Sequence, residues 1–238
     1  NMNNSNRTGR FTSSQMYRLV GSLAVQKTYI KEIDIERKMQ RCLDVGSYSQ
    51  SMAWGRYMET RVFQLMPKSY SMVSKATILH PEKEYEDIWS GSPDMIGFDK
   101  NREAEKVSEV KCFYPKAFSE LTDAILSKDV EQLKVCHKGK EYWQVVSNAI
   151  LCGVDTAEII SYMPKQNEIA EIRDEVSNFE GEDLWQYRFI VERSDSELPI
   201  LPNDGFYDSL NVFTFEVPME DKVKLTEAVI SASQRLVS

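Results

Sequence analysis

Asp94, Glu109 and Lys111 are the residues of this sequence whose types and spacing could do chemistry. Pro93-Asp94 opens an apolar stretch that reaches Phe98, and Glu109-Val110-Lys111 begins 15 positions after the aspartate. A turn-forming cluster, Asp99-Lys100-Asn101, interrupts the chain between them, and Val107 to Phe113 alternates its side chains as a strand does. The expectation is a hairpin. Successive strand side chains point to opposite faces, so Glu109 and Lys111 share one face, Val110 points into the core, and Asp94 comes alongside from the paired strand. A hard cation such as Mg²⁺ keeps several waters, so two carboxylates and one backbone carbonyl, here that of Val110, suffice once a substrate phosphate completes the shell. Mn²⁺ accepts the same ligands. Such an ion polarises a phosphodiester and lowers the pKa of a bound water from about 15.7 towards neutrality. An ammonium at Lys111 would orient that water and offset charge developing on the phosphate oxygens. The competing reading of the same residues is a turn followed by a solvated charge pair.

The elements that must position these residues can be read in order. Arg7 to Gln15 leads into the apolar spacing Met16, Leu19, Val20, Leu23, and Thr12 with Gln15 fits a capping box at the start of a helix. A helix N-terminus with hydroxyls and preceding arginines is also an anion site. Tyr29 to Val45 reads as a solvated amphipathic helix, and Gly46 to Ser49 as a break. A helix over about Gln50 to Met66 lines Trp54, Met58, Val62 and Leu65 on one face, with Glu59 at the edge of that stripe. Residues 71 to 98 read as a strand meander, with His80-Pro81 a turn at a strand end. After Pro115 the pattern is helical to about Val135, a further helix covers Glu141 to Leu151 with Gly153 as its C-cap, and Ala157 to Met163 is a strand ended by Pro164. Residues 165 to 180 read as helix, Leu184 to Arg193 as strand, Asp195 to Asp208 as loop, and Met219 to Leu236 as a closing helix. This order gives an α/β core.

The 238 residues suffice for one sizeable core, and 42% hydrophobic with 28% charged residues is an ordinary globular balance. No apolar run of about 18 residues suggests a membrane span. The polar start lacks a signal core, and Asn1 ahead of Met2 reads as an added residue. Cys42, Cys112, Cys136 and Cys152 show no C-x-x-C spacing, which points to reduced thiols and a cytoplasmic setting. The net charge of −8 argues against a general nucleic-acid binder, but it is unevenly spread: residues 1–66 carry +5, 67–163 carry −4 and 164–238 carry −9. Basic residues gathered on one face can hold a polyanion while the remainder stays acidic.

Four stretches, in order, carry a resemblance. Trp54-Gly55 with Glu59 is similar to a W-G-x-x-x-E helix, Ser92-Pro93-Asp94 to S-P-D, Glu109-Val110-Lys111-Cys112 to E-L-K-C, and Gln144 to a helix glutamine. Together they resemble the phage lambda exonuclease family, the YqaJ-like viral recombinases, within the PD-(D/E)XK nucleases. The resemblance spans about residues 7 to 163. It implies a restriction-endonuclease-like core with a mixed central sheet flanked by helices, within a single nuclease domain over 1–238. That domain divides into an N-terminal helical part to about 66, a catalytic core of about 67–163 and an acidic extension over 164–238. It implies that Asp94, Glu109 and the Val110 carbonyl ligate Mg²⁺ or Mn²⁺, that Lys111 assists the water, that Glu59 completes the metal site or reaches a second ion, and that Gln144 positions the water or a ligand. Arg7 and Ser14 fall where R-x-G-x-x-T-x-S places groups on a DNA end phosphate. Val146 stands where lambda's second glutamine would be, and Glu141, beside Tyr142, where its tyrosine would be. The implied activity is 5′ to 3′ degradation of one strand of linear duplex DNA by a trimeric ring, serving an annealing protein in recombination.

Two other readings stay open: a PD-(D/E)XK endonuclease, structure-specific or restriction-like, and a non-catalytic DNA-binding protein on the same fold. The presence of all three of Asp94, Glu109 and Lys111 weighs against the second. Four scattered cysteines weigh against an iron–sulfur member.

Overall fold

The computed structural model describes residues 6–43, 48–73 and 76–236. In chain order its elements are β1 (Phe11–Thr12), a 3₁₀ turn (Ser13–Arg18), α1 (Leu23–Met39), α2 (Gln50–Leu65), β2 (Tyr70–Met72), β3 (Ile78–Leu79), β4 (Trp89–Gly91), β5 (Met95–Phe98) and β6 (Ala104–Lys111). There follow α3 (Pro115–Leu126), α4 (Val130–Val135), α5 (Lys140–Cys152), β7 (Thr156–Tyr162), α6 (Ile169–Ser177), α7 (Gly181–Tyr187), α8 (Phe189–Glu192), β8 (Leu210–Glu216) and α9 (Met219–Ser233).

The expected hairpin forms as β5 and β6, antiparallel, with Met95 opposite Ser108. It is the middle of a five-stranded mixed sheet in the order β2-β5-β6-β7-β8. β6 and β7 run parallel, which requires a crossover, and α3, α4 and α5 supply it. Strand alternation divides the core between two faces. Val107 and Ile159 pack with Tyr142, Val145, Val146 and Ala149 of α5, whereas Val110, Ile160 and Tyr162 pack with Ala53, Trp54, Met58 and Val62 of α2. The fold is therefore a mixed α/β sheet flanked by helices, as expected.

α2 forms although Gly55 sits in its interior, where glycine costs about 1 kcal/mol against alanine. Burial of Trp54, Met58 and Val62, none of them exposed, outweighs this, since each such side chain contributes about 1.5–3 kcal/mol. Leu65, expected on the same stripe, is 51% exposed at the helix end. The acidic extension is anchored to α2 by Arg61, which lies 2.9 Å from Glu171, 3.5 Å from Glu175 and 3.6 Å from Glu168 and donates to the Tyr162 hydroxyl.

Several expectations need correction. Leu184 to Arg193 is helical, as α7 and α8, because adjacent Phe189 and Ile190 are both buried and Arg173 satisfies the carbonyls of Ile190 and Arg193. Thr12 makes no side-chain cap; it lies in β1, paired parallel with β4, and only a 3₁₀ turn follows it. The helix starts later, at Leu23, leaving that residue 66% exposed, and ends at Met39, where Gln40 adopts a φ of 51°. Val45, Gly46 and Ser47 lie outside the described residues, as do Asn1 and Met2. The meander is split, because β2 joins the five-stranded sheet while β3 and β4 join β1 in a second, three-stranded one. β8, which pairs with β7 along seven positions, was not anticipated. The turn expected at His80-Pro81 does follow β3, with His80 stacked on Trp89 and accepting the Glu82 N–H at Nδ1. Among the described residues no helix is long and apolar enough to cross a membrane.

Candidate active site

Asp94 stands immediately before β5, where its backbone N–H donates to the Ser108 carbonyl. That register sets its carboxylate beside β6, and Oδ2 accepts the Val110 N–H at 2.7 Å. Glu109 is 1% exposed, and the Lys111 ammonium donates to its Oε1 at 2.6 Å. The solvated charge pair considered from sequence is therefore ruled out: the Lys111 side chain is 17% exposed and Glu109 lies in the interior.

Helices on opposite faces complete the cluster. From α5, the Gln144 amide donates to Glu109 Oε1, and Asn148, one turn later, donates to Oε2 at 3.3 Å. From α2, half-buried Glu59 looks towards Asp94 and Lys111. The Glu59 pKa is pushed up to about 7 by burial and by the Asp94 charge, against the pull of Lys111 and Arg56. Burial, then the Asp94 charge, raises Glu109 well above the carboxylate range, and burial raises Asp94 against Lys111 and the Val110 amide. Burial opposes the charge on Lys111, but Glu109 and Asp94 outweigh it and hold its pKa above the ordinary lysine value.

Three carboxylates thus share one ammonium, leaving two negative charges to offset if all are ionised. Among the described residues no group of three or more His, Cys, Asp or Glu side chains is placed to hold a metal ion by itself. A pair of carboxylates with a neighbouring carbonyl is instead the open oxygen set that suits a divalent ion shared with water and phosphate. The residues present fit Mg²⁺ or Mn²⁺ in donor type and in charge.

Beside this cluster is a cavity of about 420 Å³ lined by Gly55, Arg56, Glu59, Lys111, Phe113 and Tyr114 among others. A second cleft, of about 910 Å³, opens between the N-terminal segment and α1 and is lined by Arg7, Ser14, Arg18, Arg41 and Arg56 among others. Arg7 and Ser14, predicted to act together, do share one cleft.

No protein family and no curated protein matches this sequence. Solved structures do. LHK-Exo in complex with dAMP superposes with a TM-score of 0.61 at 14% identity, over 99% of this chain and 91% of that one. LHK-Exo, an alkaline exonuclease from Laribacter hongkongensis, gives 0.56 at 14% identity over 97% and 91% in another structure. A phage-related exonuclease from Haemophilus somnus gives 0.51 at 13% identity over 94% and 92%. This chain has the fold of those exonucleases. The likeness covers nearly the whole chain, so the acidic extension is included in it.

Within this exonuclease fold, Asn148 is the residue beside the carboxylates that sequence reasoning missed. Its signal was the i, i+4 spacing from Gln144, which puts both amides on one face of α5. Ser147 alongside accepts the Trp89 indole N–H at 2.8 Å and meets the Ser13 hydroxyl at 2.8 Å, joining α5 to β4 and to the segment that carries Ser14. Gly91 leaves room for this junction: a Cβ there would meet Ser13 Oγ, Asn148 Oδ1 and Leu151 Cδ1, all inside 3.0 Å. Gly91→Ala should therefore destabilise the protein by about 1–3 kcal/mol, read as a lower urea midpoint; an unchanged midpoint would show that the junction yields freely.

Proposed function

We propose that this protein is a metal-dependent deoxyribonuclease, a 5′ to 3′ exonuclease on linear double-stranded DNA that serves phage-type recombination. The observation that carries the reading is the cluster of Asp94, buried Glu109 and Lys111 at the smaller cavity. The first neighbour above holds dAMP, a nucleoside monophosphate of the class released when such an enzyme shortens a strand.

Asp94, Glu109 and the Val110 carbonyl would hold Mg²⁺ or Mn²⁺, with Glu59 completing the set. When bound, the ion supplies Lewis-acid polarisation of the phosphate and a water acidified towards neutrality. The chain's own residues do the rest. Lys111, fixed by Glu109, directs an N–H at the water and places positive charge where the phosphate oxygens gain negative charge. Gln144 and Asn148 fix the Glu109 carboxylate from the other side, so that it cannot rotate away as substrate enters. Arg7 and Ser14 in the larger cleft take the terminal 5′ phosphate, making the enzyme dependent on an end. We place the protein in the cytoplasm of a bacterial or phage-infected cell, as a trimeric ring that encloses DNA and hands its 3′ overhang to an annealing protein.

Polarity and end recognition can be tested together. Duplex labelled at one 5′ or one 3′ terminus should release label from the 5′ end first. Arg7→Ala should lower kcat/KM on 5′-phosphorylated ends by about 10–100-fold, from the loss of a charge-assisted bond, and leave 5′-hydroxyl ends nearly unchanged. Equal losses on both ends would remove Arg7 from the end-phosphate role, and first release from the 3′ end would reverse the polarity.

A further inference from the structure

Two arginines of the larger cleft come from segments far apart in sequence, Arg7 ahead of β1 and Arg41 after α1. The end of α1 braces both segments. Glu36 accepts the Gly9 N–H at 3.0 Å through one carboxylate oxygen and the Leu43 N–H at 2.9 Å through the other. Thr8 Oγ1 and Cys42 Sγ, in the residues that follow Arg7 and Arg41, lie 3.1 Å apart. The two arginines therefore stand beside a single side-chain contact, although 34 positions separate them in the chain.

Local backbone geometry serves this junction. Gly9 has a φ of +70° and lies so close to α1 that a Cβ would meet Arg37 Cγ at 2.7 Å, so glycine lets the turn after Arg7 sit against the helix. The Arg37 Nε–H donates to the Gly9 carbonyl at 2.8 Å and fixes the turn from the same side. Gln40, with a φ of 51°, turns the chain out of α1, and the Arg41 N–H returns to the Glu36 carbonyl at 3.2 Å.

The charged side chains of the cleft differ in how far they are already engaged. Arg18 forms two bonds with Glu32, of 2.6 and 2.8 Å, Arg10 pairs with Asp87 at 2.7 Å, and the Arg56 charge acts on Glu59 and Tyr187. The cleft's carboxylates, Glu32 and Glu36, each have both oxygens occupied. Among the described residues, the exposed side chains of Arg7 and Arg41 form no hydrogen bond or ion pair. These two guanidiniums are free for an anion from outside.

A terminal phosphate monoester carries about −1.5 to −2 charge at pH 7, whereas each phosphodiester within a strand carries a single charge. Two guanidinium forks match the monoester in charge and in its supply of acceptor oxygens. We infer that Arg41 is a second ligand of the terminal 5′ phosphate, meeting Arg7 at the Thr8–Cys42 contact so that the pair takes a phosphomonoester dianion in preference to a phosphodiester. This rests on the nuclease reading above and adds a specificity-determining residue to its end site. Glu36 positions both arginines by bracing the segments that carry them.

The test compares binding of linear duplex with 5′-phosphoryl and 5′-hydroxyl ends in EDTA, by fluorescence anisotropy, with thermal melts and turnover in Mg²⁺ alongside. The proteins are the unaltered chain, Arg41→Ala, Arg41→Lys and Arg7→Ala. The unaltered protein should prefer the phosphorylated end. Arg41→Ala should bind that end about 10–100-fold more weakly, the loss of a charge-assisted bond, while binding hydroxyl ends as before and melting at the unaltered temperature. Arg41→Lys should recover part of the preference, since the charge returns and the fork of donors does not. An undiminished preference in Arg41→Ala would overturn its role, as would equal weakening on both ends, which would put it on an internal phosphodiester. In either case a preference reduced by Arg7→Ala, with metal-dependent turnover, would leave the nuclease reading standing. If the unaltered protein bound both ends alike, the whole end site would fall, and if it neither bound nor degraded linear duplex, the nuclease reading would fall with it.

Discussion

Lys111→Ala should lower the turnover of linear duplex DNA by about 10³-fold while leaving binding of that DNA within a few-fold of the unaltered protein. The ammonium is held 2.6 Å from Glu109 Oε1 and acts where charge develops, so its removal strikes the reaction more than the ground-state complex. Among the described residues it is also the one cation that forms an ion pair with these carboxylates, and its side chain is only 17% exposed. The fold should survive its loss, because Glu109 keeps the Gln144 and Asn148 amides and Asp94 keeps the Val110 N–H. Single-turnover assays at saturating enzyme separate the two effects: a slow chemical step with normal binding fits this role, whereas a normal step with weak binding would reduce Lys111 to a phosphate anchor.

Asp94→Asn is the second large effect, and its signs differ between stability and activity. An asparagine Oδ1 can still accept the Val110 N–H, so the local hydrogen bond persists. What disappears is a carboxylate whose pKa burial raises, and whose charge in turn raises Glu109 and Glu59. In EDTA the variant should therefore melt no lower than the unaltered protein. Its affinity for Mn²⁺, measured by calorimetry, should fall by roughly tenfold or more, since an anionic oxygen ligand is lost. Turnover should fall by about 10²–10³-fold. Undiminished Mn²⁺ binding would remove Asp94 from the metal site, and a collapsed fold would show that the carboxylate is held for structure instead.

The hairpin was legible because its period of two is local, and the turn cluster fixed which strand pairs with which. Once β5 and β6 pair, the meeting of Asp94 with Glu109 follows. The α2 stripe was equally visible, since Trp54, Met58 and Val62 recur at helical spacing, and Glu59 at its edge does face the cluster. The errors have a common cause in tertiary contacts that outweigh local signals. Thr12 has the composition of a cap, but Phe11, fully buried, draws it into pairing with β4. Leu184 to Arg193 is too short an apolar run to distinguish strand from helix by period, and Arg173 on α6, far from it in sequence logic, supplies the deciding bonds. β8 carries the alternation Val212, Phe213, Thr214, Phe215, which could have been read, but it lies between a loop and the closing helix and drew no attention from any motif. Asn148 reaches Glu109 only through the placement of α5 against β6, a relation that spacing within one helix does not contain.

The measurement that bears most directly on the central claim is digestion of linear, 5′-phosphorylated duplex beside a covalently closed circle of the same sequence, in Mg²⁺ or EDTA, with the unaltered protein and Lys111→Ala. The account predicts loss of the linear substrate alone, only with metal, and not in the variant. Cutting of the closed circle would contradict end dependence and make the enzyme an endonuclease, and degradation by Lys111→Ala at the unaltered rate would contradict the assigned site.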